Sequence, residues 1–294
     1  MRAIEFRQFG DPSQLHLVER PDPHATDSTA TVRVEAAAVN PSDVKNVAGA
    51  MKQTTLPRIP GRDYSGVVIE GPAEWIGADV WGTGGDVGFT RDGTHAESIE
   101  VPCASLVRKP EKLTHEEAAS AGVTFLTAWI GVIEYAKLSE GETLAVIGAG
   151  GVGGAAIQLA KYRGAQAIAI GRGTDTSDIK ADVVLNTVGG EMFETALKMA
   201  NHRGRVIVIS PGKQPQVSFE LVAFYRNELQ LFGVDSLHRD LTAAAETLRA
   251  LTPAFDSGAL LPPQVSRVFP LDQAQAAYRL VASGSNGRVV LKPD

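Results

Sequence analysis

The sequence contains almost none of the residues that build disulfides or multi-cysteine metal sites. Cys103 is the one cysteine among 294 residues. No intrachain disulfide can therefore form, and a structural zinc site made of several cysteines is excluded. We expect Cys103 to be a packed small side chain rather than a nucleophile, because it lies in a strand-like segment far in sequence from any histidine that would form a dyad.

Concentrated positive charge and long apolar runs are also missing. The chain has 28 Lys and Arg against 34 Asp and Glu residues, for a formal net charge of −6. This balance disfavours nucleic acid and anionic membranes as partners. No run reaches the roughly 18 apolar residues that cross a bilayer, and the first residues lack the apolar core of a signal peptide. We therefore predict a cytoplasmic protein with no membrane partner.

The residues that are present change in pattern near position 114. Up to about Pro110, short β-like runs are separated by Gly and Pro, which predicts a β-rich, barrel-like unit. Thr114 and Glu117 then form a capping-box pattern that begins a helix. Beyond this point Val- and Ile-rich strands alternate with helical segments, as is typical of a parallel sheet. The predicted fold class is α/β.

A glycine-rich turn, residues 148–153, directly follows an apolar strand and directly precedes a helix. This G-x-G-x-x-G pattern is typical of dinucleotide binding. Gly148 permits the tight turn, Gly150 lets backbone approach a pyrophosphate, and Gly153 allows close contact between helix and strand. The alternative is a glycine turn that binds nothing. The cofactor-binding residues predicted here are Gly148, Gly150, Gly151, Val152 and Gly153.

The tip of the next strand carries Gly171 and Arg172, where an Asp or Glu would bind the ribose of NAD. The planar guanidinium of Arg172 suits a 2′-phosphate and favours NADPH, although Asp175 and Asp178 keep NADH as an alternative. The connection from Arg172 to Ala181 is only about ten residues, too short for a helix, a strand and a second helix. We therefore predict a sheet that lacks one edge strand.

Several segments together are similar to a known family over nearly the whole chain. They are "AAAVNPSDVKNVAG", "IPGRDYSGVV", "EEAASAGVTFLTAW", "AGGVGGAAIQLAK", "DVVLNTVGG" and "GRVVLKP". The chain resembles the zinc-free quinone oxidoreductase (zeta-crystallin-like) branch of the medium-chain dehydrogenase/reductase superfamily. The resemblance implies a GroES-like β-barrel domain, residues 1–115, and a Rossmann doubly wound parallel sheet, residues 116–257. Residues 258–294 would return to complete the first domain.

The resemblance also bears on metal use. Zinc-dependent relatives carry a Cys at the position of Asn40 and a His-Glu pair at the positions of Arg62 and Asp63, and none of these ligands is present. We therefore expect no zinc and no metal-binding residues. Without a metal to polarise it, the hydride acceptor must already be electrophilic. The resemblance implies reduction of a small quinone or of an alkene conjugated with a carbonyl, and, by analogy, a homodimer.

The resemblance assigns site residues as well. The implied catalytic residues are Asn40, Asp43, Lys45, Tyr64 and Thr127. Lys45 is the preferred donor to the negative charge that develops on the acceptor, with a solvated helix lysine as the alternative. The proton donor stays open between Tyr64, Lys45 and water. His95 is either a catalytic base or part of a local hydrogen bond, and we favour the second. The remaining implied cofactor-binding residues are Thr127, Val188, Gly189, Ser210, Pro211, Val234, Asp235, Asn286 and Arg288.

A second class of function is also consistent with the sequence. The chain would then be an NADPH-binding sensor, or an RNA-binding crystallin-like protein, with little catalysis. The shortened sheet favours this alternative because it leaves the adenosine end of a cofactor less enclosed. The acidic composition argues against RNA.

Overall fold

The structure is a computed structural model that describes residues 1–293. It divides into two compact units, one formed by residues 1–123 together with those from 236 onward and the other by residues 124–235. The sequence-based division placed the second domain at residues 116–257. The C-terminal boundary differs because the helix Leu241–Ser257 packs within the first unit, where the rings of Phe255 and Trp81 meet edge to face at 5.8 Å.

The described residues form thirteen β-strands and seven α-helices. The strands are β1 (Arg2–Glu5), β2 (His16–Glu19), β3 (Thr29–Val39), β4 (Asp63–Glu70), β5 (Asp79–Gly82), β6 (Ser98–Pro102), β7 (Thr143–Ile147), β8 (Gln166–Ile170), β9 (Ala181–Asn186), β10 (Ala200–Val208), β11 (Gln230–Gly233), β12 (Val265–Pro270) and β13 (Arg288–Lys292). The helices are α1 (Pro41–Val47), α2 (His115–Trp129), α3 (Gly151–Tyr162), α4 (Phe193–Met199), α5 (Leu221–Arg226), α6 (Leu241–Ser257) and α7 (Ala274–Ala282).

Strand β3 organises the first unit. The larger sheet has the order β12-β13-β3-β4-β5, with β6 also paired to β3, while β1 and β2 form a separate pair. The Val and Ala side chains of β3 are all buried rather than alternating with exposed ones, because its residues contribute to more than one core cluster. Strand β13 pairs antiparallel with β3, with Val289 opposite Val39. The predicted β-rich unit is thus confirmed, and the C-terminal segment returns to its sheet.

The second unit is built on a parallel sheet with the order β11-β10-β9-β7-β8. Strand β7 pairs with β8 on one side and with β9 on the other. Within residues 171–180, which join β8 to β9, the structure has no helix or strand. Strand β8 therefore forms the edge of the sheet. The predicted loss of an edge strand is confirmed, as is the placement of β9 beside β7.

Helix α3 lies against β7 and β8 through small side chains. Its buried positions include Ala155, Ala156 and Ala160, together with Leu159. Alanine allows the helix axis to approach the sheet closely, since only a methyl group separates the two backbones. This close approach brings the start of the helix to the carboxyl end of β7.

One helical stretch deserves comparison with a membrane span. His115–Tyr135 has sufficient length and apolar composition, but 78% of its most apolar window is buried inside the protein. Phe125 and Leu126 in this stretch are completely buried. The burial is that of a core helix, whose apolar side chains face other parts of the protein.

Candidate functional site

The glycine-rich turn leads from β7 into α3 as predicted. A Cβ on Gly153 would clash with the carbonyl oxygen of Gly148, so the helix can approach the turn only because residue 153 is glycine. A Cβ on Gly150 would meet nothing within 4 Å, which shows that this backbone faces open space. The first N–H groups of α3 follow directly, and such groups bind phosphate well. The turn therefore fits a dinucleotide pyrophosphate.

A second turn, at the end of β8, presents Arg172. The hydroxyl of Thr174 accepts a hydrogen bond from the Gly171 N–H at 3.1 Å, and the Thr174 N–H donates to the Gly171 carbonyl at 3.3 Å. Arg172 lies between them with its side chain exposed. It forms no ion pair with any residue in the described part of the chain. Its guanidinium is thus available to an anionic ligand.

The other predicted cofactor residues of the second unit follow the carboxyl ends of its strands. Val188 and Gly189 follow β9, while the segments after β10 and β11 supply the pairs Ser210-Pro211 and Val234-Asp235. The Gly190 N–H donates to the Pro211 carbonyl at 3.2 Å and so joins two of these segments. The structure therefore places these residues at the carboxyl end of the parallel sheet. Thr127, the other predicted residue of this unit, lies buried in α2.

The first unit contains a buried polar cluster centred on Asn40 and Asp63. The Asn40 side chain donates from Nδ2 to Asp63 Oδ2 at 3.0 Å and accepts at Oδ1 from the guanidinium of Arg288. Arg288 also lies 3.8 Å from Asp63 Oδ2. The other Asp63 oxygen, Oδ1, accepts from the Val123 N–H at 3.0 Å. Burial raises the pKa of Asp63, and the Arg288 charge opposes that shift.

Arg62 is buried beside this cluster. Its Nε donates to the Gly84 carbonyl at 2.9 Å, its Nη1 donates to Ser236 Oγ at 3.3 Å, and its guanidinium lies 5.7 Å from the centre of the Phe89 ring. A guanidinium cation cannot serve as a zinc ligand. Within residues 1–293, no group of three or more His, Cys, Asp or Glu side chains is placed to hold a metal ion.

Asp43 is a second buried carboxyl group beside Asn40. Its Oδ2 accepts from the Asn40 N–H at 2.8 Å, whereas its Oδ1 is buried with no hydrogen-bond partner among the described residues. Burial raises the pKa of Asp43 to about 7, against the opposing effects of the Asn40 hydrogen bond and the Arg62 charge. A carboxyl group with this pKa is partly protonated near neutral pH and can donate a proton.

Three predicted site residues lie apart from the cluster. Lys45 is exposed on α1, and Asn286 is exposed in the turn before β13. Tyr64 is completely buried in a core cluster with Val80 and Leu106, and its hydroxyl has no partner within residues 1–293. Its side chain fills the β-sheet core, so we leave Tyr64 out of the proposed site. Arg288, expected at the cofactor, instead contacts Asn40 and Asp63.

His95 takes part in a local hydrogen-bonded pair, as favoured from the sequence. Its Nε2 lies 3.2 Å from the Ala38 carbonyl and its Nδ1 lies 2.9 Å from the Tyr278 hydroxyl. The carbonyl can only accept, so Nε2 carries the proton and Nδ1 accepts from the tyrosine. Burial lowers the pKa of His95 to about 4, which keeps the ring neutral.

Four further residues contribute to the two sites without having been assigned a role from the sequence. Arg62 and Asp63 bind neighbouring segments of the first unit, and Asn186 and Thr187 bond to the turns after β9 and β7. The sequence signal for these residues is their type: charged, amide and hydroxyl side chains within the segments "IPGRDYSGVV" and "DVVLNTVGG". Buried polar groups need partners, so such residues mark hydrogen-bonded positions.

Two family models match the chain. Residues 26–111 match the alcohol dehydrogenase GroES-like domain, and residues 155–291 match the zinc-binding dehydrogenase family. The first match confirms the GroES-like character of the β-rich unit. The second covers most of the parallel sheet and the C-terminal return segment.

Individual relatives extend over nearly the whole chain. A zinc-type alcohol dehydrogenase-like protein of Schizosaccharomyces pombe is 35% identical, with 99% of this chain and 97% of the relative covered. A 2-methylene-furan-3-one reductase of Solanum lycopersicum is 28% identical, with coverage of 100% and 79%. The solved structure of the quinone oxidoreductase from Coxiella burnetii has a TM-score of 0.83 at 27% identity, covering 99% of both chains. These similarities confirm the fold class predicted from the sequence.

Replacing Asp43 with Asn should flatten the pH dependence of the free energy of unfolding between pH 4 and 7. Because the folded-state pKa is raised to about 7, the stabilisation from Asp43 is complete below the ordinary carboxyl pKa and is lost as the pH rises through 7. The loss in the wild type amounts to up to about 4 kcal/mol. Urea unfolding at a series of pH values measures it.

The opposite slope contributed by His95 is common to both proteins and cancels in the comparison. Asp178→Asn, which changes an exposed carboxyl group in the second unit, is the matched control. Parallel pH curves for the wild type and Asp43→Asn would contradict the prediction.

Proposed function

Because this chain belongs to the medium-chain dehydrogenase/reductase superfamily of oxidoreductases, we propose that it is an NADPH-dependent, zinc-independent reductase of quinones or of alkenes conjugated with a carbonyl. The observation that carries the proposal is the buried cluster of the first unit. Asn40, Arg62 and Asp63 stand where zinc-dependent relatives carry their ligands, and each is already bonded to a neighbouring residue. The acceptor must then be electrophilic without the help of a metal.

Bound NADPH would supply a hydride. In the second unit, the open backbone at Gly150 and the N-terminus of α3 would hold the pyrophosphate. The exposed guanidinium of Arg172 would bind the 2′-phosphate through paired N–H donors. The residues after β9, β10 and β11 would line the remainder of the cofactor, because ligands of parallel sheets bind at the carboxyl ends of the strands.

The first unit would stabilise the negative charge that develops on the acceptor and would donate the proton. Reduction of a conjugated carbonyl leaves negative charge on oxygen, which hydrogen-bond donors stabilise before a proton arrives. We assign the proton to the buried Asp43 carboxyl and the stabilising donor in this unit to Lys45. Asn40 acts as a positioning residue, since its N–H holds Asp43 and its side chain holds Asp63.

The names of two similar proteins support the acceptor class. One relative is called a 2-methylene-furan-3-one reductase, and a 2-methylene-furan-3-one carries an alkene conjugated with a carbonyl. One similar structure is called a quinone oxidoreductase. Quinones and enones share the feature that the proposal requires, a carbon that accepts hydride while negative charge moves to a conjugated oxygen.

We also propose a homodimer that forms through β11. This strand is the other edge of the parallel sheet, and its backbone is paired only with β10 among the described strands. Leu231 on this strand and Tyr135 beside Phe232 expose 42% and 41% of their surfaces. An exposed edge strand with apolar side chains favours pairing with a second copy.

The acceptor class is tested by NADPH oxidation, followed at the nicotinamide absorbance. We expect turnover with quinones, enones and enals and none with saturated aldehydes, because only the first three are electrophilic at carbon without a metal. NADH is assayed alongside, and metal content is measured by elemental analysis. Tight NADPH binding without turnover of any acceptor would instead support the cofactor-binding sensor, which the exposed β8 edge favours. One equivalent of tightly bound zinc would overturn zinc independence.

Replacing Arg172 with Ala should weaken NADPH binding much more than NADH binding. A guanidinium–phosphate contact is a charge-assisted pair, so its loss should raise the dissociation constant for NADPH about 10- to 100-fold. Isothermal titration with both nucleotides measures the effect. Arg163→Ala, at the C-terminal end of α3, is the control for loss of an exposed arginine. Equal losses for NADPH and NADH would show that Arg172 does not bind the 2′-phosphate.

Replacing Leu231 with Glu should dissociate the proposed dimer, because the introduced carboxylates would lie close together across the paired β11 strands. Light scattering coupled to size-exclusion chromatography measures the mass. Val268→Glu places the same charge on β12, an edge strand of the first unit, and should leave the mass unchanged. A wild-type protein that is monomeric at micromolar concentration would contradict the proposal.

A further inference from the structure

The strand order of the parallel sheet reverses at β7, which is therefore the topological switch point. The chain passes from β7 to β8 on one side and then returns to place β9 on the other side of β7. At such a switch point the carboxyl ends of two strands diverge and leave a crevice that binds ligands. Asn186 and Thr187 are consecutive residues at the carboxyl end of β9, and both bond to the backbone that borders this crevice.

Asn186 holds the turn that follows its own strand. Its side chain is completely buried. Nδ2 donates to the Gly189 carbonyl at 2.8 Å, while Oδ1 accepts from the N–H groups of Val188 and Gly189, both at 3.0 Å. Only an amide supplies one donor and a doubly accepting oxygen in this arrangement. Gly189 has a φ of +114°, a backbone conformation that residues other than glycine rarely adopt. The hydrogen bonds from Asn186 stabilise the turn in this conformation.

Thr187 bonds across to the glycine-rich turn after β7, which forms the other wall of the crevice. Its hydroxyl lies 2.9 Å from the carbonyl oxygens of both Ile147 and Gly148, between which it shares its one hydrogen. Its own N–H donates to the Ile147 carbonyl at 3.0 Å. A Cβ on Gly148 would clash with this hydroxyl, so the close contact depends on glycine at position 148. The Thr187 side chain thus links the end of β9 by a hydrogen bond to Gly148, the first glycine of the glycine-rich turn.

We propose that Asn186 and Thr187 are positioning residues for the cofactor, each shaping one wall of the switch-point crevice. Asn186 presents the Val188–Gly189 backbone to the nicotinamide half, and Thr187 fixes the turn that receives the pyrophosphate. This inference rests on the proposed nucleotide binding. It also explains how the crevice keeps its shape although β8 has no strand beyond it: the walls are bonded to each other through β7 and β9.

The test compares two ligands, NADPH and 2′-phospho-ADP-ribose, which contains the pyrophosphate but no nicotinamide. NADH and ADP-ribose are measured alongside. Asn186→Ala should weaken NADPH about 10-fold or more and change 2′-phospho-ADP-ribose less than about 2-fold, because only the nicotinamide side loses its support. Thr187→Val should weaken both ligands about 10-fold, because the pyrophosphate turn is shared.

Two matched variants separate positioning from a loss of stability. Thr187→Ser keeps the hydroxyl and should bind both ligands like the wild type. Asn201→Ala removes a partly buried side-chain amide that donates to Asp182, at the amino ends of β9 and β10. This variant should also bind both ligands like the wild type. Thermal unfolding of each variant, without ligand, reports the stability change on its own.

The outcomes distinguish this inference from the proposed function. Wild-type protein that binds none of the nucleotides would overturn the proposed function. Wild-type protein that binds NADPH, with Asn186→Ala and Thr187→Val binding equally well, would overturn only the positioning roles. Equal weakening of NADPH and 2′-phospho-ADP-ribose in Asn186→Ala would likewise reject its specific role at the nicotinamide half. The unequal losses described above would support it.

Discussion

The buried carboxylate of Asp63 is the group on which the first unit depends. It contacts parts of the chain that are far apart in sequence: Asn40 before α1, Val123 within α2 and Arg288 at the start of β13. A buried charge is tolerated only when such partners surround it, and losing one partner typically costs about 3–5 kcal/mol. The cluster therefore requires the return segment to be in place before the site around Asn40 and Asp43 can take its shape.

In the second unit, neutral side chains rather than charged ones hold separate segments together. The turns after β7 and β9, where the proposal places the cofactor, contain the open backbone of Gly150 and the positive φ of Gly189. Asn186 and Thr187 hydrogen-bond to these turns from the end of β9, so the turns are fixed to the strands β7 and β9. A site on a rigid scaffold keeps its geometry when the ligand binds, and less free energy is then spent on ordering loops.

Local pattern and chain length predicted much of this arrangement. The glycine fingerprint located the β7–α3 turn, and the short connection before Ala181 excluded another strand, so the sheet order followed. The polar cluster could not be predicted in this way. Arg288 and Asn40 are separated by 248 positions, and nothing local indicates that they meet. The surroundings of Tyr64 were not predictable for a related reason: only the pairing of β4 shows that its ring packs in the core.

The cluster also constrains the chemistry. Both polar side-chain atoms of Asn40 are already bonded, to Asp63 and to Arg288. Using that side chain as a metal ligand would break one of these bonds and leave a buried charge with fewer partners, which is unfavourable. With Arg62 and Arg288 present, the cluster already contains its own cations. Under the proposed function, an acceptor reduced beside it would rely on its own conjugation to become electrophilic and on hydrogen-bond donors to stabilise the charge that results.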